Sequence, residues 1–213
     1  MRTAPHARRA LALATLMLAA ACQSPEAEQP AAAPNASTAP TSAAAPAPAG
    51  APEAARVGAA DSGCAMPVSF GIAESWKPKA VDTSAADPEL AEIFNRGTMS
   101  PICEIDAKPA GQLGFIRVYS GPAGDLRTAL TAFIGEEAQT PAFTDVQVGG
   151  KPGLEVVYQA KSQLDDSLEP ERAFALAAGA GVLAVSLDAF DPEEHQAMLP
   201  AYELAKTSLT VNG

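Results

Sequence analysis

From Asp61 to Gly213 the chain reads as an α+β domain, an antiparallel β-sheet with helices packed on it. Three observations predict this. Apolar residues alternate with small or polar ones in Val68-Ser69-Phe70-Gly71-Ile72. Gly149-Gly150 and Gly179-Ala180-Gly181 separate consecutive runs so closely that the neighbours must be hairpin partners. Two other stretches, behind Asp125 and Asp191, start with helix caps and repeat their apolar residues at helical spacing. About 150 residues suffice for one core, and composition does not shift again, so 61–213 reads as a single domain.

Val68 to Ile72 is the first strand, a half-buried one, and Trp76 follows where the chain turns at Pro78. Asp87-Pro88 opens a short helix with Leu90, Ile93 and Phe94 on one face, ended by Asn95 and Gly97. Ile102–Asp106 and Leu113–Tyr119 form an antiparallel pair across Lys108-Pro109-Ala110-Gly111. Asp125 caps a helix carrying Leu126, Ala129, Leu130 and Phe133, which ends at Gly135. Four strands follow: Phe143–Val148, Leu154–Ala160, Arg172–Ala178 and Val182–Ala189. Asp191-Pro192-Glu193-Glu194 supplies a cap, a first-position proline and an acidic first turn, so a last helix begins there. Pro200 is expected to kink or restart it, with Tyr202, Ala205 and Leu209 continuing its buried stripe.

Ahead of this domain the composition is different. Gln23 to Ala60 is mainly Ala, Pro, Ser, Thr, Gln and Glu, with Val57 its only large aliphatic residue, so it reads as a disordered tether unable to offset its ordering entropy. Before it, Arg2, Arg8 and Arg9 precede an apolar run from Ala10 to Ala21, broken only by Thr15. That is the layout of a secretory signal, and the run is short for a helix that must cross ~30 Å of hydrocarbon. Leu18-Ala19-Ala20-Ala21-Cys22 resembles the cleavage site of bacterial lipoproteins, in which a Leu stands three places before the Cys; here that place holds Ala19 and the leucine is Leu18. The resemblance implies a signal peptide over 1–21, a lipid on Cys22, and an extracytoplasmic protein anchored to the cell membrane. Cleavage by an ordinary signal peptidase, with release of the protein, is the alternative.

Charge excludes one class of partner. Of 14 basic residues the three arginines leave with the signal, so 11 remain against 25 acidic, a net charge of −14. Nucleic acid is not expected, since phosphate binding needs clustered Lys and Arg, and residence at the membrane has to come from the lipid. Cys64 and Cys103 remain as an even pair in an oxidising setting; a disulfide is the natural reading and two separate thiols the alternative.

Val68-Ser69-Phe70 with Trp76 after a loop, Leu126–Ile134, and Val182–Leu187 leading to Asp191–Leu209 with its internal Pro200 together resemble the PsbP-like fold. This fold, named for an extrinsic subunit of photosystem II, is also used by actinobacterial envelope lipoproteins. The resemblance covers most of residues 64 to 211 and implies an α/β/α sandwich with a non-catalytic binding or assembly role.

Chemistry is sparse in the residues themselves. His195, the one histidine left after cleavage, stands beside Glu193 and Glu194 and reads as a solvated helix-start residue, not a base held by a buried carboxylate. Asp165, Asp166, Glu169 and Glu171 have the oxygens a hard cation needs, but a solvated connector explains them, and no metal or other cofactor is expected. Gly179-Ala180-Gly181-Val182-Leu183-Ala184 spells a dinucleotide fingerprint but opens no helix, so it is a hairpin turn. Trp76, Tyr119, Tyr158 and Tyr202 read as core and not as a ligand cleft. The expectation is a tethered, non-catalytic module that binds an envelope protein, wall polymer or lipid. A lipid carrier and a carboxylate-dependent wall hydrolase are the alternatives.

Overall fold

The computed structural model describes residues 49–83, 93–162 and 165–212. The expected signal, Cys22 and most of the expected tether lie outside these residues, as does most of the helix expected from Asp87.

Among the described residues the fold has ten strands and two complete α-helices: β1 (Ala55–Val57), β2 (Val68–Ile72), β3 (Lys77–Ala80), β4 (Ser100–Asp106), β5 (Phe115–Pro122), α1 (Leu126–Ile134), β6 (Gln139–Val148), β7 (Lys151–Lys161), β8 (Leu168–Ala178), β9 (Gly181–Asp188), α2 (Pro192–Ser208) and β10 (Thr210–Val211). Seven strands form one antiparallel sheet in the order β3-β4-β5-β9-β8-β7-β6, and β1-β2-β10 form a smaller one. The antiparallel sheet with packed helices is thus present.

Alternation along each strand divides the core into two layers. On β9, Leu183, Val185 and Leu187 point into the core beneath α2 and β2, while Val182 and Ala184 point to the other face beneath α1. The α2 side therefore carries a helix and a small sheet together, which a plain α/β/α description leaves out. Asp125 accepts from the amide of Thr128 at 2.8 Å and Asp191 from that of Glu194 at 2.7 Å, so both expected caps form. The β6–β7 hairpin turns on Gly149 and Gly150, both at positive φ. A Cβ on Gly149 would lie 1.7 Å from the Leu209 carbonyl oxygen, so this turn docks against the end of α2 only as glycine.

Three expectations need correction. The tether was expected to run to Ala60, but the folded part starts earlier: the Ala51 amide donates to the Pro200 carbonyl at 2.7 Å, β1 pairs with β2, and Val57 is fully buried. Pro200 does not restart the last helix, which is continuous over Pro192–Ser208. His195 is not solvated; it is 1% exposed. It occupies the stripe of Met198, Tyr202 and Ala205, and burial together with the nearby Arg172 guanidinium pushes its pKa down to about 4.

Cys64 and Cys103 are joined, with Cα atoms 5.8 Å apart, tying the loop after β1 to β4 in the large sheet. A loop of about 40 residues closed this way is worth about 4 kcal/mol on the chain-entropy account.

Candidate functional site

On the α1 face, the β3–β4–β5 side of the sheet changes from apolar to charged. Register sets Glu104 opposite Arg117, Arg117 opposite Ser186, and Tyr158 opposite Glu171, with Asp188 ending β9 beside Phe115. Arg117 bridges two strands: its Nε donates to Glu104 Oε2 and its Nη1 to Asp188 Oδ2, each at 2.8 Å. Arg96 reaches the same carboxylate from the segment before β4, donating from Nη2 to Asp188 Oδ1 at 3.3 Å and from Nη1 to the Tyr158 hydroxyl at 3.4 Å. Its guanidinium lies over the Phe133 ring at 5.0 Å and the Tyr119 ring at 5.8 Å, so α1 and β5 hold it by cation–π contact as well.

Local structure fixes that arginine. Arg96 and Met99 exchange backbone hydrogen bonds of 2.9 and 3.0 Å. Between them Gly97 adopts φ +58°, and a Cβ there would sit 2.7 Å from the Ala132 carbonyl carbon of α1. Only glycine allows both the turn and the contact.

The electrostatics follow from one carboxylate shared by two cations. Burial alone would lower both arginine pKa values, but Asp188 together with Tyr158, Tyr119 and Glu171 around Arg96, and with Glu104 around Arg117, outweighs it and holds both firmly protonated. Burial pushes the Tyr158 and Tyr119 hydroxyls up and away from ionisation. Glu171 is raised to about 8, first by burial and then by repulsion from Asp188, with Arg96 opposing. It keeps its proton at neutral pH.

Beside this network lies a pocket of about 340 Å³ lined by Val81, Phe94, Arg96, Glu104, Arg117 and Tyr119 among others. Ile93 and Phe94 form its lip and are 74% and 55% exposed. Each guanidinium has five donors and spends two on the partners just named, so polar capacity remains next to an apolar rim. Glu171 is not among the residues lining this pocket.

Several residues singled out from sequence lie elsewhere. Asp165 and Asp166 are exposed, and Asp165 accepts from the amide and hydroxyl of Ser167. Glu169 and Glu171 belong to β8, not to a connector, and Glu171 joins the buried network. Among the described residues no group of three or more His, Cys, Asp or Glu could hold a metal ion. Trp76 and Tyr202 are core residues of the α2 face and Tyr119 and Tyr158 of the α1 face, so the four line no common cleft. Gly179 and Ala180 form the expected tight turn between β8 and β9.

Under α2 is a second ionic cluster. Lys206 Nζ lies 2.8 Å from Glu203 and 3.2 Å from Glu155, and Arg172 Nη1 stands 3.8 and 3.9 Å from the same two carboxylates. These groups face the packed helix, and their role is to hold α2 against β7 and β8.

No curated protein matches the chain. Among solved structures it is similar to cyanobacterial PsbP (CyanoP) of Synechocystis sp. PCC 6803, at 12% identity and a TM-score of 0.46, over 74% of this chain and 91% of that one. It is also similar to LpqN, involved in cell envelope biogenesis of Mycobacterium tuberculosis, at 14% identity and a TM-score of 0.40, over 75% of this chain and 90% of that one. A family model described as an uncharacterised lipoprotein matches residues 32–209, and the chain belongs to that lipoprotein family.

Proposed function

We propose that this protein is an envelope lipoprotein that acts by binding, held to the membrane by lipid on Cys22 and presenting the Arg96–Arg117 pocket to its ligand. The observation that carries the reading is the pairing of two half-committed guanidinium groups with an apolar lip in one pocket. Such a site suits a ligand with oxygen acceptors and an apolar portion, as wall fragments and envelope amphiphiles have. A carrier that swallows an acyl chain is less well supported: the crevice between α2, β2 and the sheet, beside Phe70, Ile105 and Ala205, has no room for a water molecule.

One observation favours the hydrolase as a second reading. Glu171 retains a proton at neutral pH near Asp188, and two carboxyl groups in unlike environments are what acid–base hydrolysis uses. Against it, Glu171 does not line the pocket.

The test uses the mature chain with Cys22→Ser, incubated with lipid and wall-glycan extracts, with the retained molecules identified by mass spectrometry. Retention should be lost in Ile93→Ser with Phe94→Ser, at unchanged melting temperature. Turnover of an extract component that Glu171→Gln abolishes would replace binding with hydrolysis. The anchor is tested separately by detergent phase partition of the full gene product, where wild type should enter the detergent phase and Cys22→Ser should not.

A further inference from the structure

On the opposite side of the molecule, a groove follows the outward face of α2. Two hollows of about 490 and 340 Å³ meet there, since Gln112 and Ala197 line both. Trp76 lines the larger one, among small side chains such as Ala51, Ala73, Ala110 and Ala201. Leu113 and Phe190 line the smaller and are 56% and 53% exposed.

These two exposed residues are held in place by a single carboxylate. Glu194 accepts from the backbone amides of Leu113, Gly114 (3.2 Å) and Phe190 (2.8 Å), and its own amide is fixed by Asp191. Apolar side chains on a backbone pinned this way lose little entropy when a partner covers them. At the other end Ser75 sits at φ 68°, a conformation costly for any residue with a Cβ, and the chain turns there into Trp76. The small side chains between let another backbone come close.

Charge selects the partner. Glu53, Glu74, Asp191, Glu193 and Glu194 border the groove, and no lysine or arginine lines either half. Glu53 pairs with Arg56, while Glu74 and Glu193 are exposed and enter no ion pair among the described residues. We propose that this groove docks a basic, apolar peptide segment of a partner protein. Its Leu- or Phe-type side chains lie against Leu113, Phe190 and Trp76, and its lysines or arginines meet Glu74 and Glu193. The two faces of the domain then serve two partners, and this docking does not depend on the pocket at Arg96.

The experiment pans a phage-displayed random dodecapeptide library on the mature chain with Cys22→Ser. Peptides combining Lys or Arg with Leu or Phe should be enriched. Synthetic copies should shift the emission of Trp76, the only tryptophan, in a saturable way. Affinity should fall at least tenfold in Glu74→Lys with Glu193→Lys, and likewise in Leu113→Ser with Phe190→Ser, while Ile93→Ser with Phe94→Ser binds as wild type. All the substituted residues are exposed, so each variant is first shown to melt as wild type does. Enrichment of peptides without basic residues, equal affinity in the groove variants, or no enrichment over an unrelated protein overturns the proposal.

Discussion

Replacing Lys206 by methionine isolates the cost of the ionic cluster beneath α2. The lysine side chain is 10% exposed, and those of Glu155 and Glu203 are 11% and 7% exposed. With Arg172 the four charges balance. Without Lys206, two buried carboxylates share one guanidinium at nearly 4 Å, beyond good hydrogen-bond range. Breaking a buried pair from one side costs about 3–5 kcal/mol, because a charge is left without compensation. For a domain of this size about 1 kcal/mol moves the melting temperature by roughly 2–4 °C, so a drop of about 6–20 °C is expected. Methionine keeps most of the lysine stem, so lost packing contributes little. Adding Glu203→Gln restores neutrality and should recover most of the loss. Thermal and urea melts of the single and double variants read this directly. A Lys206→Met protein within about 1 kcal/mol of wild type, or a double variant no more stable than the single, would refute the account.

Three other expectations follow from the same structure. Reduction of Cys64–Cys103 should lower stability by about 4 kcal/mol, read from urea melts with and without reductant. For His195 the folded pKa is below the unfolded one, so the unfolded chain binds more protons and stability falls as pH drops from about 6.5 towards 4; His195→Gln should flatten that limb, measured as melting temperature against pH. Glu171 has the opposite sign: its folded pKa is raised, so stability falls as pH rises from about 4.5 to 8, and Glu171→Gln should stabilise the protein most at the alkaline end of the same profile.

Patterns that repeat along the chain were legible; features made by distant residues were not. The caps at Asp125 and Asp191, the hairpin turns at Gly149 and Gly179 and the inward Val68, Phe70 and Ile72 of β2 are local, and each appears where expected. β3, Lys77-Pro78-Lys79-Ala80, was missed because charge and proline, which suit an edge strand, also suit a loop. β1 was missed because only Val57 distinguishes it from the tether. The buried state of His195 did leave a trace: it precedes Met198 by three residues and Tyr202 by seven, which is the helical stripe itself. Nothing local joins Arg96 to Asp188, 92 residues away; that contact exists because β9 returns to lie beside β5.

The early start of the fold also has a mechanical side. A pull on the chain from its N-terminal side enters the domain at Ala51, whose amide is bonded to Pro200, and next loads Ala54 on Ile72 and the three residue pairs of β1. These links stand in series and would open one after another. Peeling stops at Cys64, where the covalent bond passes the load across to β4 in the middle of the large sheet's β3–β4–β5 hairpins. The domain thus carries an extensible leader of about thirteen residues, on the order of 45 Å when straight. Tension can draw the connection out up to that straight length while the large sheet, the pocket at Arg96 and the Leu113–Phe190 end of the groove stay intact.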